Sequence, residues 1–217
     1  MLKIKEPSLA VDLTEIYDLE ERVKISRETE KDIEAVKVKN VCMECEDMSF
    51  IGFENVLFEN CRFSECNFER SSFSNVRFVK CDFSNADFND SYFGVCEFDS
   101  CKFMGISFKD CVLKNISFSV GGFAYSIFNE SRLSNVALSI CDFSNAEFTN
   151  CVLKAVSINE CRFIGTSFFK TALAGLDFTN SELSGIKVSD TFKELKDIVV
   201  SSSQALDLSL LLGINIK

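Results

Sequence analysis

Eleven cysteines and thirty-three carboxylates are the residues of this 217-residue chain that could do chemistry. Nine of the thiols (Cys61, Cys66, Cys81, Cys96, Cys101, Cys111, Cys141, Cys151 and Cys161) are separated by multiples of five residues. Structural zinc asks instead for close pairs. Cys42-Met-Glu-Cys45 is the one Cys-x-x-Cys pair, and neither a second such pair nor a histidine accompanies it. The chain has no His at all, which removes imidazole acid–base catalysis, His-containing metal sites and Cys-His or Ser-His-Asp nucleophiles. Free Cys otherwise behaves as a small apolar residue. The sequence therefore predicts no catalytic residue, no metal site and no cofactor, and the chain does not read as an enzyme.

What must position these residues is a repeat of five. From Phe53 to Val188 every fifth residue is apolar, giving 28 positions: 20 Phe, six Leu, Ile158 and Val188. Two residues earlier in each five, from Ile51 to Ile186, stand only Cys, Ser, Thr, Ala, Gly, Val, Ile and Leu, and the nine spaced cysteines lie here. Every charged residue between 51 and 190 falls in the other three phases. Two residues in five thus point inward, one large and one small. The thiols occupy the small inward place.

A longer period is superimposed. CDFSNADF at 81–88 returns as CDFSNAEF at 141–148, DCVLK at 110–114 as NCVLK at 150–154, and NCRF at 60–63 as ECRF at 160–163. These shifts are all multiples of 20, so one coil has four sides of five residues. Like residues then stack on like, as in a solenoid whose coils touch only their neighbours. Close packing of the Phe column leaves no pore.

The pattern resembles the pentapeptide-repeat family, whose motif reads A(D/N)LXX with Phe often replacing Leu. That resemblance implies an all-β fold, a right-handed quadrilateral β-helix. The chain divides into an N-terminal cap region, 1–35, a repeat of nearly eight coils, 36–190, and a C-terminal cap, 191–217. In the last, a helix bracketed by Ser203 and Gly213 is expected, followed by alternation at Ile214–Ile216.

Three surface features stand out. Asp90, Asp110 and Glu130 lie 20 apart and should stack at one corner, where like charges repel unless a partner uses them. Met104, Val120, Tyr125, Ile127, Ile140 and Ile164 point outward as an apolar patch, which a partner surface or simple β-propensity would explain. Finally, Ala205, Leu206, Leu208, Leu210, Leu211 and Leu212, with Ile214 and Ile216 beyond, carry more apolar surface than a cap needs. A homodimer joined through the C-termini would bury the surplus.

Within the family the sequence is similar to the quinolone-resistance (Qnr-type) group, through Leu183-Ser184-Gly185-Ile186-Lys187-Val188, Gln204-Ala205 and Leu212-Gly213-Ile214. The resemblance implies a DNA mimic that binds type II topoisomerase (DNA gyrase or topoisomerase IV) and protects it from quinolones or inhibits it. Many members carry loops that project from the coils. Here the phase runs unbroken, so the loop-less subset is the one resembled. The net charge of −10 argues against direct nucleic-acid binding. Duplex DNA of the same ~40 Å length holds roughly 24 charges, so mimicry would rest on local acid clusters and shape. No 18-residue apolar run crosses a membrane, and the early charges of MLKIKEPSLAVDLTEIYDLEE do not suit a signal peptide. A reducing cytoplasm is the expected location. A cytoplasmic scaffold rod, using the apolar patch, is the alternative function.

Overall fold

A chain that buries two residues in five must turn a corner after every five. The computed structural model, which describes residues 3–211, 213 and 214, shows how. Every fifth residue from Ala35 to Lys170 has positive φ, between 52° and 69°. Asn recurs at these corners because it tolerates the left-handed region better than most side chains. Stacked asparagines bond one another across turns, as Asn60 Nδ2 does to Asn40 Oδ1 (2.7 Å).

Between corners the backbone is extended. The strands are β1 (Thr14–Ile16), β2 (Ile33–Glu34), β3 (Val36–Lys39), β4 (Cys42–Glu44), β5 (Gly52–Glu54), β6 (Leu57–Glu59) and β7 (Arg62–Ser64). Five eight-residue strands follow: β8 (Ser72–Val79), β9 (Tyr92–Asp99), β10 (Val112–Ser119), β11 (Arg132–Ser139) and β12 (Val152–Asn159). β13 (Arg162–Ile164) and β14 (Glu182–Ser184) complete the set. From β2 onward the strands pair in parallel with an offset of 20 residues, as in Val112↔Arg132↔Val152, and the last bridge, Asp177↔Val199, steps by 22. With corners every five residues, this is a four-sided parallel β-solenoid of about nine turns. At strand spacing that is a rod of about 43 Å. We call its sides I (51–55 and every 20 residues after), II (56–60), III (61–65) and IV (66–70).

The core is the Phe column. Phe53, Phe73 and Phe93 stack at 5.0 and 4.7 Å with planes 7° apart, while Phe58 meets Phe53 edge-on at 5.6 Å. Offset stacks along the axis and edge contacts across it both suit the ring quadrupole. The small inward residues add a second device. Ser71, Ser91, Cys111 and Cys151 each donate a hydroxyl or thiol to the carbonyl 23 residues earlier, at 2.8–2.9 Å. Backbone amides in turn donate to the hydroxyl one turn above, as Cys111 N–H does to Ser131 Oγ (2.8 Å). This ladder explains why Cys, Ser and Thr share one column: each is small and each can donate.

The ends differ from the sequence reading. Residues 1–35 contain a helix, α1 (Leu19–Thr29), besides β1. Asp18 Oδ1 caps it on the Glu21 N–H (2.9 Å), Glu20 and Glu21 lie in its first turn, and Leu19 and Val23 are buried against the first coil. That cap and the i, i+4 apolar pair are ordinary helix signals that a search by fives passes over. At the other end the solenoid continues past residue 190: Leu173, Gly175 and Phe178 donate to Glu194, Asp197 and Val199 carbonyls. The turn count therefore exceeds the expected eight. The last helix is α2 (Ser202–Leu211), capped by Ser201 Oγ rather than Ser203. Gly213 ends it at φ 70°.

Candidate partner-binding surfaces

The corner geometry decides how the outward residues are presented. Asp90, Asp110 and Glu130 occupy left-handed corners of side IV in three successive turns, all exposed. Two are locally compensated: Arg70 approaches Asp90 at 3.9 Å and Lys109 approaches Asp110 at 3.8 Å. Glu130 forms no ion pair among the described residues. Asp87 and Glu147 lie on the same side, so residues 86–150 of side IV hold five acids and one cation, Lys109, over four turns. Four turns span about 19 Å. That is about one acid per 4 Å, close to the ~3.4 Å spacing of phosphates along one DNA strand. Stacking of columns, which the sequence shows only for one corner, produces this density.

The apolar patch is split by the same corners. Met104, Val120, Tyr125 and Ile140 are exposed, whereas Ile127 and Ile164 are half-buried. Val120 and Ile140 share the corner that closes side II, Tyr125 closes side III, and Ile127 lies beyond it on side IV. β-Propensity does not account for the first three. They have φ of 53°, 56° and 61°, where β-branched and bulky residues are strained by ~1–3 kcal/mol. Between these corners Gly122 leaves side III open and uncharged in that turn.

The C-terminal helix divides its leucines. Leu208 is turned into the protein's own core and Leu211 packs partly against it, so these two are not free for a second chain. Ala205, Leu206, Leu210 and Ile214 are exposed; Leu206 and Leu210 lie four residues apart on one face of α2, and Ile214 follows just past its end. Leu212 and Ile216 lie outside the described residues.

The thiols are placed by phase. Nine are buried and only Cys42 and Cys45 are exposed. Burial pushes Cys66 up to about 11 and Cys96 up to about 12. Cys45 is also raised, by desolvation and by the Glu65 carboxylate 3.6 Å from its Sγ. A raised thiol is a poor nucleophile and a poor metal ligand at neutral pH. The carboxylates of Asp32, Glu34 and Glu54, which no repeat pattern groups, come within 4.8 Å of one another on the surface beyond α1.

Among the described residues no helix is long and apolar enough to cross a membrane. Comparison with known proteins agrees with the geometry. A family model described as a pentapeptide repeat region matches residues 51–128, and one described as pentapeptide repeats (8 copies) matches 123–154 and 146–185. No curated protein sequence matches. Among solved structures the chain is similar to full-length QnrB1, a plasmid-mediated fluoroquinolone resistance protein, at 20% identity and TM-score 0.50, covering 93% of this chain and 95% of that one. A trypsin-treated QnrB1 variant is 22% identical, with TM-score 0.51 and coverage of 84% and 90%.

Proposed function

Because this chain belongs to the pentapeptide-repeat family, we propose that it is a non-enzymatic DNA mimic that presents side IV to the DNA-binding channel of a type II topoisomerase. The acid spacing on side IV is the observation that carries this reading. A stretch of about 19 Å on one side of the rod, with one acid per ~4 Å, offers a basic channel the pitch of a phosphate strand, despite a total charge well below that of DNA. The resemblance of fold to QnrB1, a fluoroquinolone resistance protein, supports DNA gyrase or topoisomerase IV as the partner and quinolone protection or inhibition as the effect. Asp90, Asp110 and Glu130 are the contacts proposed. The exposed Leu206 and Leu210 of α2, with Ile214 just past it, support assembly of two rods end to end through α2, since apolar side chains exposed at the end of a rod are buried most simply by a two-fold copy of the same surface.

The test is gyrase binding and supercoiling with and without ciprofloxacin. Affinity should fall as salt rises, because exposed charges are screened within about 10 Å at 0.1 M. Reversing Asp90, Asp110 and Glu130 together to Lys should weaken binding by tenfold or more, on the order of a contact charge pair each, with the fold intact. Binding by the triple variant as tight as the parent's removes this corner from the site. A chain without any effect on gyrase shifts the reading to a scaffold rod, for which the strained apolar corners at Val120 and Ile140 are the specific support.

A further inference from the structure

Outward residues of side III stack one turn above another. The second residue of each five runs Arg62, Asp82, Lys102, Gly122, Asp142, Arg162 and Glu182 up the rod, in a register fixed by parallel bridges. Charges alternate along this column, and neighbours pair: Lys102 with Asp82 at 3.9 Å, Arg162 with Asp142 at 3.7 Å and with Glu182 at 3.1 Å. Gly122 stands in the middle. Residues equally far above and below it carry opposite charge.

Pairing along the column accounts for the alternation but not for Gly122. Its φ is not left-handed, and a Cβ added to it would meet nothing within 4 Å, so its own chain has no need of glycine there. Glycine inside a sheet face marks the close approach of another backbone. Nor does the chain itself offset the strain at Val120, Tyr125 and Ile140. These left-handed corners border the same turn, cost ~1–3 kcal/mol each, and leave their side chains exposed.

We propose that side III binds a second copy of this chain, the two rods lying antiparallel and face to face about a two-fold axis along the strand direction at Gly122. Such an axis sets each residue against the one as far beyond Gly122 as it lies short of it. Arg62 then meets the partner's Glu182, Asp82 the partner's Arg162 and Lys102 the partner's Asp142. The corner that closes side II obeys the same axis. Lys80 meets the partner's Glu160, and neither residue has an ion pair within its own chain among the described residues. Sizes match as well as charges: Met104 falls on the partner's Ser144, Ile140 on the partner's Ser100 and Ile164 on the partner's Ser84. The Ser84 and Ser144 hydroxyls already donate to Asp82 and Asp142 (2.6 and 2.5 Å), so covering them leaves no donor unpaired. On the axis Val120, Gly122 and Tyr125 meet their own copies, as an isologous contact requires. A two-fold along the rod would instead lay Lys102 over the partner's Met104 and pair no charges. Six turn spacings by five extended residues is about 29 by 16 Å, or roughly 900 Å² over both copies, the size of a transient interface. The rods are therefore separate in dilute solution and pair as concentration rises, with side IV left free.

The test uses the full chain carrying Leu206→Glu and Leu210→Glu, which takes α2 out of any association. Sedimented under reducing conditions from about 5 to 500 µM, a span that brackets transient binding, it should pass from monomer to dimer. Scattering at the upper concentration should show a dimer about as long as one rod. Adding Gly122→Arg should weaken the dimer at least tenfold with little change in Tm, since the new side chain meets nothing in its own chain. Lys102→Asp alone, or Asp142→Lys alone, sets like charges together at two places by symmetry and should weaken it as much. The fold should tolerate both, because exposed ion pairs contribute little. Mixed one to one, these two charge variants regain both pairs in a heterodimer, which should match the unaltered face to within about threefold. A chain that stays monomeric throughout, a dimer indifferent to Gly122→Arg, or a mixture no tighter than either charge variant alone would each overturn the proposal, the first by leaving the face to a different protein.

Discussion

Gln204 closes the top of the rod, and its replacement measures what an open solenoid end costs. Its side chain is buried; Nε2 donates to Phe178 O (2.9 Å) and Ser181 O (2.6 Å), and Oε1 accepts from Ser201 N–H (2.8 Å). Ser181 lies 23 residues back, the same step by which the inward hydroxyls and thiols cap carbonyls inside the rod. Gln204→Ala removes all three bonds, leaving the Ser181 carbonyl and the Ser201 amide without these partners and Phe178 O with only the Ser181 N–H. At ~1 kcal/mol net for each bond, the loss is about 3 kcal/mol, reduced toward 2 where water replaces the amide. For a chain of this length that is a Tm lower by about 4–12 °C. It should be read first as faster amide exchange across Ala205–Leu211, because α2 is anchored by this residue. Gln204→Glu makes a sharper test. It keeps the acceptor for Ser201 but aims a carboxylate oxygen at two carbonyl oxygens, so burial and these neighbours raise the new carboxyl's pKa in the folded state. A raised carboxyl destabilises above its folded pKa, and the defect shrinks as pH falls through it, when the O–H can donate to one carbonyl. Between pH 7 and pH 4 the Glu variant should therefore regain about 1–2 kcal/mol relative to the parent, while the Ala variant runs parallel to the parent. Urea melts at both pH values decide it. A Gln204→Ala chain within 2 °C of the parent (under about 1 kcal/mol), with unchanged exchange in α2, would refute the capping argument.

Two further outcomes are expected. Native-state alkylation at pH 8 should modify Cys42 and Cys45 only, and Glu65→Gln should speed reaction at Cys45 by removing the carboxylate that raises its thiol; rapid labelling of Cys81 or Cys141 would place the register wrongly. In small-angle scattering the full chain should be an elongated dimer of roughly 80–100 Å, and Leu206→Glu with Leu210→Glu should reduce it to a single rod of about 43 Å. A double variant that stays dimeric would remove α2 from the interface.

Much of this protein is legible in the residue order because the repeat is short-range. A large and a small inward residue in every five, with a tolerated left-handed corner, fix side-chain direction within one side of the coil, so Phe83 and Cys81 can be placed inward without any distant information. Stacking by 20 likewise puts Asp90, Asp110 and Glu130 in one column. What the order of residues did not reveal depends on contacts between turns and at the ends. Val120 and Ile140 look like strand residues until their corners are seen to be left-handed, which reverses the meaning of β-branching there. Leu208 is as apolar as Leu210, and only docking of α2 on the last coil turns one inward and leaves the other exposed. The coil over β12 is the clearest case. Residues 172–180 keep the inward phase without a slip, with Leu173, Leu176 and Phe178 all buried. That they make tight turns where the coils below run extended is visible only once the backbone is placed between its neighbouring coils. A one-dimensional period carries the direction of each side chain; it carries no record of which neighbouring turn the backbone pairs with.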